Sequence, residues 1–424
     1  MRASQRLYRT ARVGAAAASI WSMYKLPAYA RKVLHRSAHT DEELAPVHER
    51  AAQILLDLAL ELRGVNIKLC QVMGARSDVF PPAFVRTLKQ CHDGVPARPF
   101  DVVRAVVERE LGAPIATIFS EFDEAPLAAA SLAQVHRARL RDGRQVAVKV
   151  QYPEIDDLVK VDLGSLRRVS AIYQRLDPQP MELLPLVKEL SDHLALELDF
   201  RREVDSAERI RAIFAGDDSV LIPAVHRELS TSRVITMELV SGIKVNDLEA
   251  LRAAGLHPRD VVQSLMSVYV RMIMAAGFFQ ADPHPGNIFV RPNGQIVLMD
   301  FGLCKELPEG FGLGLFELMF SMMTMNESAM IRAFQELGFV TKTGHTDTFI
   351  ALAKRMMKRS GTGRFEGEFT EEMTDELFEA VRQNPVVLIP THFVLVGRAF
   401  SLLSGIAHTL GHRANVLAAM GVGG

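Results

Sequence analysis

Residues 280–302 read QADPHPGNIFVRPNGQIVLMDFG and carry three polar residues, Asp282, Asn287 and Asp300, on a frame that predicts their arrangement. β-prone residues follow Asn287 and precede Asp300, and the letters RPNG between them favour a turn. A hairpin of this kind brings Asn287 and Asp300 side by side. Because amide and carboxylate oxygens suit Mg²⁺, we predict these two residues as metal ligands.

Asp282 adds a possible catalytic function to this hairpin. It precedes Asn287 by five residues, and a D-F-G begins at Asp300. This is the order of a phosphoryl-transfer loop in which the Asp receives the proton of the acceptor and the Asn binds metal. A lone DFG is a weak signal, and acidic residues that merely cap turns are the alternative. The ordered set favours ATP as substrate with Mg²⁺.

Composition restricts the class of protein. The chain has 424 residues, of which 48% are hydrophobic and 23% charged, which is typical of a globular protein with two or three domains. A formal net charge of -1 gives no reason to expect a nucleic-acid partner. Cys70, Cys91 and Cys304 have no paired spacing, so we expect small core residues and neither a disulfide framework nor a zinc site.

Residues 1–40 differ in composition from the rest. They carry eight Lys and Arg residues and no acidic residue. This favours a basic N-terminal arm that forms a surface helix, in contact with anionic lipid or solvated, or an organelle transit peptide in a eukaryote. Elsewhere no apolar run is long enough for a transmembrane helix. The expected location is cytoplasmic and peripheral to a membrane in a bacterium, or the mitochondrial or plastid matrix face in a eukaryote.

Residues 125–150 predict two strands joined at Asp142 and Gly143. The second strand contains V-A-V-K, the form of a kinase strand whose lysine, here Lys149, reaches the α- and β-phosphates. The loop before the first strand has small residues where glycines are expected, so a stiffer phosphate lid is predicted; a helix start or tight packing is the alternative. These nucleotide-binding candidates are Ala128, Ala129, Ala130 and Ser131.

A helical pattern covers residues 41–75 and contains Lys68 and Gln71. Three residues apart, they share one face of a helix. By itself this pattern indicates a surface lysine.

Together these motifs carry a resemblance. AAASLAQVH, VAVK, ELDFRREVD, ADPHPGN and DFG follow a K-x-x-Q helix in this order, and the chain resembles the UbiB family of atypical protein-kinase-like proteins, also called the AarF family, over about residues 45–410. The resemblance implies an α+β, bilobal protein-kinase-like fold with an N-terminal helical extension packed over the active site. The implied domains are the basic arm 1–40, the helical extension 41–115, a small lobe 116–240 and a helical large lobe 241–424.

The resemblance also implies roles for further residues. Lys68 and Gln71 would gate the site, with Lys68 paired to an acidic motif at Glu197 and Asp199. Glu203 would orient Lys149, although solvated charges are the alternative for these acidic residues. Cys70 stands where the family has glycine, which leaves the closeness of this helix to the nucleotide in question.

The remaining segments complete a kinase pattern. Residues 233–239 predict the last small-lobe strand, and Glu238 and Val240 fall where the hinge backbone of a kinase would bind adenine. The segment after DFG lacks Ser, Thr, Tyr and an A-P-E, which argues against a protein substrate. ADPHPGN is also similar to the catalytic loop of small-molecule kinases. Five methionines are predicted as core, namely Met319, Met322, Met323, Met325 and Met330.

The family resemblance implies a function for the whole chain. It would be an ATP- and Mg²⁺-binding atypical kinase or ATPase that supports isoprenoid-quinone (ubiquinone-like) biosynthesis at a peripheral membrane surface, with isoprenoid lipids or quinone-biosynthesis enzymes as partners. A small-molecule or lipid phosphotransferase is one alternative. A nucleotide-sensing module without turnover is the other.

Overall fold

A computed structural model describes residues 3–33, 41–74, 80–92, 97–153, 155–176, 187–188, 191, 194, 197–341, 386–388, 390–413 and 419. The chain forms two compact units. The first comprises Met1–Arg201 and His226–Leu239, and the second comprises Arg202–Val225 and Val240–Gly424.

The first unit begins with helices. They are α1 (Ala3–Val33), α2 (Asp41–Leu62), α3 (Val65–Gly74) and α4 (Pro82–Leu88), and a 3₁₀ turn (Lys89–His92) follows. The continuous helical pattern predicted for residues 41–75 is interrupted at Arg63 and Gly64, which both have a φ of 57°. Left-handed backbone ends a helix, so the segment with Lys68 forms a helix of its own.

Helix α1 departs from the expected surface arm. Its residues Val13 and Ala16 are buried against α2 and against α7 (Ile155–Leu176). Arg9 is also buried, because it pairs with Asp162 on α7. The prediction of a solvated or lipid-bound basic arm is therefore wrong for this face of α1, which is part of the first unit's core.

The sheet of the first unit is antiparallel in the order β1-β2-β3-β5. Its strands are β1 (Phe119–Ala129), β2 (Ala133–Leu140), β3 (Gln145–Gln151) and β5 (Val234–Glu238). One face of β3 packs through Val146, Val148 and Val150 against α5 (Phe100–Leu111). A short helix, α6 (Ile115–Ile118), leads into β1, and a 3₁₀ turn (Arg227–Leu229) precedes β5. The predicted turn at Asp142 and Gly143 is confirmed: Gly143 has a φ of 90°.

Among the described residues of the second unit, more lie in helices than in strands. Its helices are α8 (Phe200–Ile213, from Arg202 onward), α9 (Leu248–Ala253), α10 (Pro258–Val270), α11 (Phe311–Met323), α12 (Glu327–Glu336) and α13 (Thr391–Thr409). A π-helical turn (Arg271–Ala276) extends α10. The strands are β4 (Val220–Leu221), β6 (Ile243–Lys244), β7 (Phe278–Gln280), β8 (Ile288–Val290), β9 (Ile296–Leu298), β10 (Cys304–Glu306), β11 (Val340–Thr341) and β12 (Val386–Leu388).

The hairpin predicted from the sequence is confirmed as β8 and β9. They pair antiparallel, with Ile288 opposite Leu298 and Val290 opposite Ile296. Gly294 has a φ of 85°, which the turn between the strands requires. The sheet order is β4-β9-β8-β6. Strand β10, which pairs with β7, was not predicted.

The methionine prediction is only partly correct. Met319, Met322 and Met330 are buried in the core of the second unit. Met323 and Met325 are 46% and 55% exposed, so the core prediction is wrong for these two residues. Met323 lies on the outer face of α11, and Met325 has a φ of 54° in the turn that follows that helix.

Over the residues that the structure describes, no helix has both the length and the apolar character of a membrane span.

Candidate active site

The loop after β7 presents Asp282 in a tightly bonded turn of the second unit. The carbonyl of Asp282 accepts from the N–H of His284 at 2.8 Å, and Nδ1 of His284 accepts from the N–H of Gly286 at 3.1 Å. Pro285 begins a 3₁₀ turn that ends at Asn287. A Cβ at Gly286 would lie 3.0 Å from Nδ1 of His284, so glycine keeps this turn compact. The loop geometry follows from local sequence.

Asn287 and Asp300 meet at the open end of the β8–β9 hairpin. The carbonyl of Asn287 accepts from the N–H of Met299 at 3.0 Å, which fixes Asn287 beside the residue that precedes Asp300. Oδ1 of Asp300 accepts from the N–H of Gly302 at 2.9 Å. One amide and one carboxylate fit Mg²⁺, which takes few protein ligands and completes its shell with phosphate and water. No cluster of three or more His, Cys, Asp and Glu side chains suited to a metal occurs within the described ranges.

Glu203 also lies near Asp300. A Cβ at Gly302 would be 3.2 Å from Oδ1 of Asp300 and 3.8 Å from Oε2 of Glu203, so the glycine leaves room for both carboxylates. Glu203 is only 6% exposed. Lys149 belongs to the first unit and Glu203 to the second, so their predicted pairing stays a prediction. Burial, together with the charge of Asp300, raises the pKa of Cys304, which keeps this thiol protonated.

A buried chain of two hydrogen bonds fixes the backbone of Asp300. The sequence analysis did not predict it. The hydroxyl of Tyr269 donates to Oε1 of Gln280, and Nε2 of Gln280 donates to the backbone carbonyl of Asp300. Tyr269 is fully buried, and Gln280 nearly so. Gln280 is the first residue of the motif stretch, yet its type alone does not indicate which backbone group it binds.

Arg398 on α13 is the other residue that the sequence did not indicate. One Nη of Arg398 donates to Oδ1 of Asp282 at 3.4 Å, with 33% of the arginine and 37% of the aspartate side chain exposed. The two residues are 116 positions apart. No motif links them.

In the first unit, Lys149 on β3 has its Nζ 5.2 Å from the centre of the Phe200 ring.

The alanine-rich stretch forms the connection between β1 and β2, where a phosphate lid was predicted. Ala128 and Ala129 are paired in the strand, and the N–H of Ala130 donates to the carbonyl of Ala133 at 2.8 Å. Ser131 is buried. The Ala130 N–H is thus engaged in the turn itself.

Gln134 and His136 brace this connection. Both are buried on β2, and Nε2 of Gln134 donates to Nε2 of His136 at 2.8 Å. Nδ1 of His136 then donates to the carbonyl of Asp123 at 2.8 Å, so the imidazole is neutral. Burial lowers the pKa of His136. Gln134 and His136, two polar residues of the AAASLAQVH motif, therefore stabilise the connection between β1 and β2.

Lys68 of α3 forms an ion pair with Glu197, and the side chains are 21% and 16% exposed. Oδ1 of Asp199 accepts from the N–H of Arg201 at 3.1 Å. Nε2 of Gln71 donates to the carbonyl of Cys91 at 3.1 Å. The gating role of these residues stays a prediction, as does adenine binding by the backbone at Glu238 and Val240.

Cys70 is buried in a hydrophobic cluster formed by α2, α3, α4 and the 3₁₀ turn that follows α4. Ala51, Ala52 and Ala59 of α2 and Cys91 lie in the same buried group. A hydrogen bond with the Cys91 thiol and burial raise the pKa of Cys70. Both thiols are core residues, as predicted, but they are neighbours in space although their spacing in the sequence suggested no pairing.

Residues 90–334 match the family model described as the ABC1 atypical kinase-like domain. The chain belongs to the ABC1 atypical kinase-like family. AarF domain-containing protein kinase 1 of Xenopus tropicalis is 34% identical over 405 residues, which cover 91% of this chain and 76% of that protein. The chloroplastic protein ACTIVITY OF BC1 COMPLEX KINASE 7 of Arabidopsis thaliana is 32% identical over 88% of this chain and 54% of its own length.

Among solved structures, the fold of this chain is similar to that of the Rv3197–erythromycin complex from Mycobacterium tuberculosis. It covers 89% of this chain and 97% of its own, with a TM-score of 0.62 and 24% identity. At this identity the likeness concerns the fold alone. The predicted UbiB or AarF family and the α+β, kinase-like fold are thereby confirmed.

Proposed function

We propose that the protein is an ATP- and Mg²⁺-dependent atypical kinase or ATPase that supports isoprenoid-quinone biosynthesis at a membrane surface. The observation that carries the proposal is the shared frame of Asp282, Asn287 and Asp300 in one unit. Family membership supports a kinase-type enzyme in general. The lipid pathway rests on the family resemblance.

Each of these residues has a proposed role. Asn287 and Asp300 would hold Mg²⁺, which when bound neutralises phosphate charge. Asp282 would accept the proton of the attacking hydroxyl or water. Lys149 would bind the phosphates of ATP, and Glu203 would orient Lys149.

The test is ATP turnover by the full chain with Mg²⁺, with and without liposomes that contain anionic lipid. Asp300→Asn should abolish ADP release, whereas Asp260→Asn, which changes an exposed carboxylate on α10, should leave it unchanged. ADP binding in the absence of Mg²⁺ serves as a folding control for both variants. Equal turnover by wild type and Asp300→Asn would reject the assigned metal ligand.

A second measurement, of free phosphate in addition to ADP, distinguishes an ATPase from a phosphotransferase. If ADP is released without phosphate appearing in solution, the phosphoryl group has gone to an acceptor, which favours a small-molecule or lipid phosphotransferase. Stoichiometric free phosphate favours an ATPase. Saturable ADP and ATP binding without any turnover would favour a nucleotide-sensing module and overturn the proposal.

A further inference from the structure

Arg398 lies at Asp282 but outside residues 90–334, the part of the chain that the family model matches. It belongs to α13, whose buried face includes Leu395, Val396 and Ala399 in the core of the second unit. These neighbours hold the backbone of Arg398 on a packed helix. A side chain presented by such an element is more precisely placed than one on a loop.

The contact between Arg398 and Asp282 leaves much of both groups open. It joins one Nη to Oδ1 at 3.4 Å, and among the residues that the structure describes no further hydrogen bond of either side chain is found. A guanidinium has five N–H donors, and a carboxylate has two oxygens. With about a third of each side chain exposed, donors remain on Arg398 and Oδ2 remains on Asp282 for a ligand.

The positive charge of Arg398 next to Asp282 matters for phosphoryl transfer. A carboxylate that accepts a proton from the acceptor repels the oxygens of the phosphoryl group that approaches the same acceptor. A cation bonded to that carboxylate removes much of the repulsion. The planar fork of arginine matches phosphoryl oxygens in particular.

We infer that Arg398 binds the oxygens of the phosphoryl group that is transferred beside Asp282. This inference rests on the proposed function. In the reaction, the bond from the γ-phosphorus to the β,γ-bridging oxygen breaks and its electron pair leaves with ADP. A bond forms from the acceptor oxygen to phosphorus, and the acceptor proton passes to Asp282. Arg398 contacts the equatorial oxygens while these bonds change.

The test uses ADP, Mg²⁺ and aluminium fluoride, which mimics the phosphoryl group in transit, with the full chain. Wild type should gain thermal stability with ADP and Mg²⁺, and more when aluminium fluoride is added. Arg398→Gln should keep the first gain and lose the second, while Arg398→Lys keeps part of it. In turnover, Arg398→Gln should lower kcat by about 100-fold or more with the KM for ATP little changed, since an arginine at this position acts in the transition state.

Arg271→Gln is the matched control. It removes another ion pair of the second unit, between Arg271 and Asp217 at 2.7 Å, with side chains 43% and 29% exposed. It should respond to aluminium fluoride as wild type does. Retention of the full aluminium fluoride gain and kcat by Arg398→Gln would overturn the inference and leave the proposed function standing. A wild type that binds no nucleotide would overturn both.

Discussion

Arg9 and Asp162 form a buried, bidentate ion pair between α1 and α7 of the first unit. Nε of Arg9 donates to Oδ1 of Asp162 at 2.8 Å, and Nη2 bonds to Oδ2. Nη1 donates to the carbonyl of Leu62 at 2.7 Å, and the amide of Asn66 donates to Asp162 at 3.2 Å. The arginine is therefore an anchor for three helices, and its charge is satisfied within the protein.

Arg9→Gln should destabilise the protein by about 3–5 kcal/mol, because it leaves the carboxylate of Asp162, 1% exposed, without its cation. Urea denaturation measures the loss. Arg12→Gln is the control, since it removes a pair with Glu61 whose side chains are 43% and 32% exposed, and its effect should be much smaller. Equal losses would show that burial of the Arg9 pair has no energetic consequence.

The same variant should have a distinctive pH dependence. Burial raises the pKa of Asp162 above its ordinary value, and Arg9 opposes that rise. Without Arg9, the folded protein binds the proton of Asp162 more tightly than the unfolded chain does. The loss of unfolding free energy in Arg9→Gln relative to wild type should therefore be largest at neutral pH and become smaller as the pH falls through the raised pKa. A deficit independent of pH would contradict this.

Gly312→Ala should destabilise the second unit, because the added Cβ would lie 2.3 Å from the carbonyl oxygen of Met274 in the π-helical turn. The neighbour is backbone, so it cannot rotate away, and a cost of about 1–3 kcal/mol is expected. Gly397→Ala on α13 is a matched control: nothing lies within 4 Å of its Cβ, and helix propensity predicts no loss or a small gain. Thermal and urea unfolding distinguish them; equal effects would reject the close approach.

Lys68 and Glu197 should be energetically coupled. Their side chains are mostly buried, so a double-mutant cycle of Lys68→Ala and Glu197→Ala should give a coupling of about 1–2 kcal/mol, between the values for exposed and fully buried pairs. Lys160→Ala removes an exposed lysine on α7 and should show no coupling to Glu197→Ala. If Lys68 also gates the site, Lys68→Ala changes the ATP turnover rate while Lys160→Ala does not.

The buried neutral His136 should make the protein acid-sensitive. Its folded pKa is lowered by burial, so the unfolded chain binds a proton that the folded chain does not once the pH falls below about 6.5. Stability is then lost toward acid with a slope of up to about 1.4 kcal/mol per pH unit. His136→Gln should reduce this slope between pH 6.5 and 5, whereas His408→Gln, on the exposed side of α13, should not. An unchanged slope in His136→Gln would assign the acid sensitivity elsewhere.

What was predictable from the sequence was local in the chain. The β8–β9 hairpin, the turn at Gly143 and the neighbouring positions of Asn287 and Asp300 each depend on fewer than about twenty consecutive residues, whose turn and strand preferences agree. The order of motifs then indicated the family, which the comparisons confirmed. The roles of the site residues remain predictions.

Only the tertiary structure showed the contacts between residues that are far apart in the sequence. Arg9 and Asp162 are 153 positions apart, and Arg398 and Asp282 are 116 apart, so no local pattern reports either contact. A basic N-terminal segment has the same composition whether its arginines face lipid, solvent or a buried aspartate. The choice depends on which surfaces pack together, because the desolvation of a charge is offset only by a partner that packing brings into contact with it.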